Sequence, residues 1–297
     1  MLWGTTYLGI RIALDSFPPA LLVCLRTLIS GGITVTVAAM IGAHLPRGRD
    51  LWITAGYGLM VIAVGNGTLA VVEQWIPTGL TSLFVTTAPF WFVGIDALLA
   101  GGEKLHAPTM RGLLVGFAGV LLLIAPAAWT ALAGHTFASG GAVVLGFVLL
   151  QLSGASWALG SLLQRNRRSR MHPFVIGGVQ QLTTGLVLLV PSIFELPSAH
   201  WSARGMGAIV YLAIFGGIVG YGCYALAISR LPLAIASIYT YINPVVAVFL
   251  GWWVYRERFG LREAGAMAVI FAGVAMVRRA NLVPVQNLRA DRAAESS

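Results

Sequence analysis

The stretch from Trp75 to Ile124 reads WIPTGLTSLFVTTAPFWFVGIDALLAGGEKLHAPTMRGLLVGFAGVLLLI, and the stretch from Arg230 to Val277 repeats it as RLPLAIASIYTYINPVVAVFLGWWVYRERFGLREAGAMAVIFAGVAMV. Each copy carries a proline in the middle of an apolar run, at Pro89 and Pro244, and each closes with Phe-Ala-Gly-Val. The offset is 155 residues as far as these prolines and 154 residues from the shared glutamate onwards. A repeat of this length predicts a chain built from two related halves.

The composition around the repeat is that of a membrane protein. Of the 297 residues, 58% are hydrophobic and only 10% are charged. Apolar runs of about 20 residues, each long enough to cross about 30 Å of hydrocarbon, recur along the chain. The two cysteines, Cys24 and Cys223, lie inside such runs, so a disulfide framework is not expected. The net charge of +9 is read as a topology signal and not as a nucleic-acid surface.

The pattern of apolar runs and turn signals predicts an all-α membrane protein with ten transmembrane helices. The predicted spans are residues 1–14, 19–42, 52–73, 78–101, 109–126, 141–164, 173–194, 204–229, 232–255 and 261–279. Weaker matches at offset 154, such as Trp3 with Trp157, extend the repeat to the first part of each half. Because each half has an odd number of spans, the halves must insert in opposite senses, and such inverted five-helix repeats are typical of secondary transporters.

The distribution of basic residues predicts that both termini are cytoplasmic. With the N-terminus inside, 13 of the 19 lysines and arginines fall in inner loops and the tail, against 4 in outer loops. The predicted organisation is a first repeat at 1–127, a second at 141–279 and a disordered cytoplasmic tail at 280–297. The first span reaches only about 21 Å at 1.5 Å per residue, so we expect the natural chain to start upstream with a longer first helix.

Several short motifs along the chain match those of a known family. They are Trp3-Gly4, Pro18-Pro19, Leu25-Arg26, Pro77-Thr78-Gly79-Leu80, Ala88-Pro89, Gly102-Glu103-Lys104, Asn243-Pro244 and Arg256-Glu257-Arg258. With these motifs, the chain resembles the EamA family of the drug/metabolite transporter superfamily over nearly its whole length. The resemblance implies a ten-helix exporter of small metabolites, such as amino acids or drugs, in a bacterial cytoplasmic membrane.

Aromatic and amide side chains near the mid-span prolines are the candidates for a solute cavity. Converging rings with a few hydrogen-bonding groups suit an amphipathic organic solute such as an amino acid. The alternative for the aromatic residues is interfacial anchoring or packing against lipid. The candidate substrate-binding residues are Trp3, Tyr7, Asn66, Thr86, Trp91, Trp157, Tyr239 and Asn243.

Ionisable groups and prolines inside spans are the candidates for gating and coupling. Arg26 and Glu73 lie at compatible depths, so they predict either a structural ion pair or an outer gate that couples transport to protons. A mid-span proline frees the carbonyl four residues earlier, which makes it either a hinge or a passive bend. The candidate gating or coupling residues are Arg26, Glu73, Asp96, Pro89, Pro244 and Gln180.

The sequence contains no catalytic motif. The five histidines are scattered through loops without metal-ligand spacing, and no phosphate-binding GxxxxGK[ST] sequence is present. We therefore expect no catalytic residues, no metal, no cofactor and no nucleic-acid partner. The expected partners are a small-molecule solute and the lipid bilayer, with the chain a monomer or homodimer. The alternatives to transport are an intramembrane lipid-modifying enzyme and a non-transporting membrane subunit.

Overall fold

The computed structural model describes residues 2–99, 107–132, 140–167, 171–231, 239–257 and 259–294, and these residues form a bundle of helices with no strand among them. The helices are α1 (Leu2–Leu14), α2 (Pro19–Met40), α3 (Arg49–Val72), α4 (Thr78–Leu98), α5 (Ala107–Leu132), α6 (Gly140–Asn166), α7 (Pro173–Glu195), α8 (Ala203–Arg230), α9 (Tyr239–Tyr255) and α10 (Leu261–Ala294).

Local sequence explains where most of these helices begin. Pro19 and Pro173 occupy the first turns of α2 and α7, where a missing N–H costs nothing. At α8, the hydroxyl of Ser202 accepts a hydrogen bond from the N–H of Gly205 at 3.0 Å. Where the structure describes the starts, they lie within three residues of the predicted ones.

The last helix differs from the expectation for the tail. α10 continues to Ala294, whereas the sequence predicts a helix that ends at 279 and a disordered tail from 280. Alanine, arginine and leucine supply eight of the fifteen residues at 280–294, and their high intrinsic helix propensity favours continuation of the helix.

Within the residues that the structure describes, six helices are long and apolar enough to cross a membrane. They are α2, α3, α4, α6, α7 and α8, with a shorter apolar helix at Asn243–Tyr255 within α9. Large apolar side chains on the outside of the bundle, including Trp52, Phe194 and Trp253, are exposed to the surroundings. An exposed apolar surface of this extent is suited to contact with lipid acyl chains.

Helix pairs pack closely where glycines meet. α2 crosses α7 with Gly31 against the backbone of Leu182, where a Cβ on the glycine would lie 2.3 Å from the Leu182 nitrogen. α5 crosses α10 in the same manner, with Gly273 against the backbone of Gly116. Only glycine permits these two approaches, which fix the four helices as pairs.

Two helices contain a segment of wider π-helical winding. These segments are Leu59–Asn66 in α3 and Leu212–Tyr221 in α8. Their carbonyls accept hydrogen bonds from neighbouring helices: Ser153 of α6 donates to Gly65 at 2.8 Å, and Trp3 of α1 donates to Gly216 at 3.1 Å. Side chains from the adjacent helix thus bind backbone carbonyls within the wider segments.

The loops gather at the two ends of the bundle. At one end, Ser16 hydrogen-bonds to Ser202, and Asp15 accepts a hydrogen bond from Tyr255 at 2.7 Å. We name this the Glu73 end, because α3 also ends there. At the opposite end, Arg167 forms an ion pair with Asp50, and we name this the Arg167 end.

The two mid-span prolines have different effects on their helices. α4 is interrupted between its segments Thr78–Val85 and Ala88–Leu98, and Pro89 lies in the first turn of the second segment. α9 instead continues through Pro244 without interruption. The sequence predicts a similar distortion at both prolines, so the interruption at Pro89 alone is a difference between the two halves.

Candidate functional site

A cavity lies in the middle of the bundle, between α1, α2, α3, α4, α6, α7, α8 and α9. Its empty volume is about 1050 Å³, with the open space at its mouth included. This is enough for a solute the size of a metabolite or a drug. Pockets between packed helices are a common location for ligand sites in bundles.

Hydroxyl and amide groups form most of the polar wall of the cavity. Ser30 donates to the amide oxygen of Gln181 at 2.6 Å, which joins α2 to α7 behind the wall. Thr86 lines the cavity from α4 and donates to the carbonyl of Ser82 at 3.0 Å. The remainder of the wall is apolar, from residues such as Ile10 and Leu150.

Four aromatic residues pack together toward the Arg167 end of the cavity, and we call them the aromatic cluster: Trp3, Trp157, Tyr221 and Tyr224. The rings of Trp3 and Trp157 meet edge to face with centroids 5.6 Å apart. The indole of Trp157 donates to the Tyr224 hydroxyl at 2.9 Å, and Ser161 hydrogen-bonds to the same hydroxyl at 2.7 Å. Each polar tip in this interaction therefore has a partner.

A second cavity lies on the other side of the aromatic cluster. Its empty volume is about 890 Å³, and its wall includes Gln164, Arg165 and Arg167 at the end of α6. Tyr221 lines both cavities, and its hydroxyl donates to the amide oxygen of Gln180 at 2.6 Å. The aromatic cluster is therefore the partition between the central cavity and a basic vestibule at the Arg167 end.

Charged side chains collect on the opposite side of the central cavity, and we call them the charged cluster: Arg11, Arg26, Glu73 and Glu257. Glu73 is 0% exposed, and neither of its carboxylate oxygens has a hydrogen-bond partner among the described residues. Arg26 is 7% exposed, and its Nε also has no partner there. The two side chains are close enough to interact electrostatically, but within the described ranges no ion pair at 4.0 Å or less joins them.

The main chain beside Glu73 is bound even though its carboxylate is not. The guanidinium of Arg11 donates to the backbone carbonyl of Glu73 at 2.5 Å. Arg11 also lies over the ring of Tyr255, 5.7 Å from the ring centroid. These contacts hold the end of α3 in place while the Glu73 carboxylate points into a buried space.

Two other carboxylates at this end cap helices. Glu257 accepts hydrogen bonds from the N–H groups of Thr78 and Gly79, at 2.8 and 2.9 Å, at the start of α4. Glu195 accepts a hydrogen bond from the N–H of Leu21 at 2.9 Å, in the first turn of α2. A carboxylate at a helix N-terminus satisfies free N–H groups and the helix dipole. Glu73 has no such structural role among the described contacts.

Eight of the candidate residues from the sequence lie at the wall of the central cavity. They are Trp3, Tyr7, Arg26, Asn66, Thr86, Trp157, Asn243 and Pro244. They come from six different helices, and the shared cavity is what brings them together. These residues are therefore the part of the predicted site that the fold assembles.

The other candidates lie elsewhere. Gln180 is buried but lines the second cavity. Trp91 donates to Gln151 at 3.0 Å behind the interruption of α4, and neither Pro89 nor Asp96 lines the central cavity. Glu73 is buried beside the cavity without lining it. Tyr239 begins α9, and its side chain lies outside the part of the chain that the structure describes.

Several residues of the site are not among the candidates from the sequence, including Arg11 and Glu257 of the charged cluster. Tyr221 and Tyr224 complete the aromatic cluster, Gln181 lines the central cavity, and Gln151 bonds the interrupted segment of α4 at Thr87. Gln151 and Gln181 are polar residues inside apolar runs, which is the signal that selects Gln180 as well. Applied to every span, that signal would have found both.

In the described part of the chain, no three histidine, cysteine, aspartate or glutamate residues lie close enough together to hold a metal ion. A buried cavity between long apolar helices, with charged groups on one side and aromatic rings on the other, is the arrangement expected of a multi-pass membrane transporter. A family comparison agrees: the EamA-like transporter family matches residues 1–125 and 144–279. The chain belongs to this family.

Several curated relatives match along most of the chain. The uncharacterized inner membrane transporter YedA of Escherichia coli (strain K12) is 32% identical over 280 residues, which cover 93% of this chain and 87% of YedA. A probable amino-acid metabolite efflux pump of the same strain is 26% identical, covering 91% of this chain and 89% of the pump. One solved crystal structure is 23% identical, with a TM-score of 0.68 and 93% coverage of both chains, and it shares the fold.

Proposed function

We propose that the protein is a secondary transporter that exports small organic metabolites across the bacterial cytoplasmic membrane by alternating access. The observation that carries this proposal is the central cavity, which is closed toward the Arg167 end by the aromatic cluster and bordered on the other side by the charged cluster. A site in mid-bundle with a different barrier on each side is what alternating access requires.

The proposed architecture is ten transmembrane helices in two inverted repeats, at 1–127 and 141–279, followed by a cytoplasmic tail at 280–297. Contacts of the first helix of each half with helices of the other half support it. α1 packs on α8 and α9, and α6 packs on α3 and α4. The π segments Leu59–Asn66 and Leu212–Tyr221 also correspond at offset 154, within one residue at each end. Equivalent distortions at equivalent positions are expected of duplicated halves.

The proposed orientation has both termini in the cytoplasm. It rests on the excess of arginine in the loops at the Arg167 end, such as Arg165 and Arg167, which matches the positive-inside rule. The basic vestibule then opens to the cytoplasm, and the charged cluster faces the outside. Export takes the solute from the vestibule, past the aromatic cluster, to the central cavity and out at the Glu73 end.

Glu73 is the residue that we propose couples transport to protons. A buried carboxylate without hydrogen bonds is costly, and inside a membrane such groups are commonly part of proton relays. Arg11 and Arg26 are close enough to stabilise its charged form, and Glu257 is close enough to oppose it. A carboxylate balanced in this way can change protonation when the arrangement of the arginines changes.

Amino acids and related amphipathic compounds are the proposed solutes. The mixture of hydroxyl, amide and aromatic groups around the cavity supports this class, because it offers hydrogen bonds to a polar head and ring surfaces to a side chain. The similarity to the probable amino-acid metabolite efflux pump points the same way.

Counterflow in proteoliposomes tests the proposal. Vesicles loaded with one unlabelled solute are exposed to trace labelled solute from a panel of amino acids, nucleosides and a cationic dye. We expect saturable uptake of labelled amino acid that requires the matching solute inside. If no solute of the panel gives counterflow, with protein that elutes as a single folded species, the transport proposal is wrong.

A further inference from the structure

We infer that Arg26 and Asn243 form a two-point recognition site in the central cavity, with Arg26 binding a carboxylate of the solute and the amide oxygen of Asn243 accepting a hydrogen bond from its amine. The inference rests on the proposed transport function and deepens it, since it names the groups that a solute must carry and the residues that read them.

Arg26 is the charged residue among the described side chains that line the central cavity. It lies two turns into α2, which begins at Pro19, and it is 7% exposed. Its Nε has no acceptor among the described residues, although Glu73 lies close enough to affect it electrostatically. A buried guanidinium with a donor left unsatisfied calls for an acceptor from outside the protein, and a carboxylate matches the planar fork of the side chain with two parallel hydrogen bonds.

Asn243 supplies the complementary group from α9. Its residue is 6% exposed, it lines the same cavity, and its Oδ1 has no hydrogen-bond donor among the described residues. An acceptor without a partner in a buried wall is costly unless a ligand provides a donor. An ammonium or amine N–H is such a donor, and it carries the charge opposite to that of a carboxylate.

The aromatic cluster accounts for the remainder of the solute. Trp3, Trp157 and Tyr221 line the cavity and also contact each other, so ring faces and edges are available next to the polar groups. Aromatic surfaces favour apolar or aromatic side chains and exclude water from the polar contacts. A solute with a carboxylate, an amine and an apolar side chain satisfies all three parts of the wall.

Three phenyl compounds separate these contacts in a titration calorimetry experiment on the purified full chain. L-phenylalanine carries both polar groups, 3-phenylpropionate lacks the amine, and 2-phenylethylamine lacks the carboxylate. Because a hydrogen bond to a charged group contributes about 1.5–3 kcal/mol, we expect 2-phenylethylamine to bind about 10- to 150-fold more weakly than L-phenylalanine. We expect 3-phenylpropionate to lie between the two.

Substitutions then assign each group to its residue. Arg26→Met should weaken L-phenylalanine and 3-phenylpropionate but not 2-phenylethylamine, and Asn243→Leu should weaken L-phenylalanine but not 3-phenylpropionate. The matched control is Arg204→Met, which removes an exposed arginine at the start of α8 that does not line the cavity, and it should keep the ratio between the probes. Arg26→Lys keeps the charge and covers the case in which Arg26→Met fails to fold.

The inference is overturned if wild-type protein binds 2-phenylethylamine as tightly as L-phenylalanine, or if Arg26→Met leaves the ratio between them unchanged. It is also overturned if none of the three probes binds while another solute of the panel gives counterflow, and in that case the transport function stands. Absence of counterflow for every solute overturns the transport function itself.

Discussion

The two sides of the central cavity are held by opposite kinds of contact. In the aromatic cluster, the indole of Trp157 and the hydroxyls of Tyr221 and Tyr224 all have hydrogen-bond partners at 2.6 to 2.9 Å. In the charged cluster, both oxygens of Glu73 and the Nε of Arg26 have none among the described residues. One side of the cavity is therefore satisfied within the protein, and the other is not.

This difference teaches which side depends on something outside the chain. A buried network whose polar groups are all hydrogen-bonded needs no partner from outside the protein, so the aromatic cluster is stable in this conformation. Unsatisfied buried polar and charged groups cost several kcal/mol, and the cost falls when a proton, a solute or a rearrangement supplies the partner. The contrast predicts that changes in the charged cluster alter energetics of transport, whereas changes in the aromatic cluster alter access.

Glu73→Gln is expected to abolish proton-driven accumulation of the solute. If Glu73 carries the proton, a gradient of one pH unit supports about tenfold accumulation for one proton per solute, because one pH unit is worth about 1.36 kcal/mol. The variant should lose this accumulation and equilibrate the solute, while counterflow without a gradient continues. Accumulation of labelled solute in proteoliposomes, with and without an imposed pH gradient, measures the effect.

Glu195→Gln is the matched control for that experiment. It removes a carboxylate at the same end of the bundle, but one that binds the N–H of Leu21 at the start of α2. Accumulation should persist in this variant. Full accumulation and unchanged pH dependence in Glu73→Gln would instead end the coupling hypothesis and leave Glu73 as a structural group.

Tyr224→Phe tests the aromatic cluster as a barrier. The change leaves the indole N–H of Trp157 without its acceptor, at a cost of about 1–3 kcal/mol, which corresponds to about 5- to 150-fold in the population of the closed form. A cysteine placed at Thr6, in the cavity wall, should then react faster with an impermeant maleimide added from the Arg167 end. The background replaces Cys24 and Cys223, so the engineered cysteine is the reactive one.

Tyr255→Phe controls for the general loss of a tyrosine hydroxyl. Its hydroxyl donates to Asp15 at 2.7 Å in the loops of the Glu73 end, on the other side of the cavity. Labelling of the cysteine from the Arg167 end should be unchanged in this variant. Equal labelling in Tyr224→Phe and wild type would show that the aromatic cluster is not the barrier.

Glu257→Ala distinguishes a structural carboxylate from a coupling carboxylate within the charged cluster. Loss of the cap on Thr78 and Gly79 should cost about 0.5–2 kcal/mol of stability, the usual range for an N-cap. The melting temperature should fall, and the ratio of accumulation with and without a pH gradient should stay as in wild type. If the pH gradient no longer increases accumulation in this variant while the melting temperature is unchanged, Glu257 rather than Glu73 is the coupling residue.

The repeat is the reason that much of this fold is predictable from the sequence. Helix starts follow from prolines and polar breaks, and Trp3 and Trp157 are found together because they correspond at offset 154. Tyr221 and Tyr224 were missed because Gly67 and Ala70 occupy the corresponding positions, so no symmetry marks them. A residue that functions in only one half is invisible to an argument from the repeat.

The candidates of α4 show a second limit. Trp91 was predicted to face the cavity because it lies close to Thr86 and Pro89 in the sequence. The interruption of α4 after Val85 changes the direction in which the following residues point, and Trp91 binds Gln151 instead. Helical periodicity carries a prediction only as far as the helix continues. The partner of Trp91 depends on tertiary packing of α6, which local sequence does not contain.

The smallest expected effects come from the two tryptophans. Trp3→Phe removes the hydrogen bond to the carbonyl of Gly216, and Trp157→Phe removes the one to Tyr224. Each should cost about 0.5–1.5 kcal/mol for the lost hydrogen bond, because a phenyl ring still fills most of the space of the indole. Melting temperatures of the two variants measure this. Because the two rings are in contact, the loss of stability in the double variant should differ from the sum of the losses in the two single variants. Strictly additive losses would show that Trp3 and Trp157 do not act through one aromatic cluster.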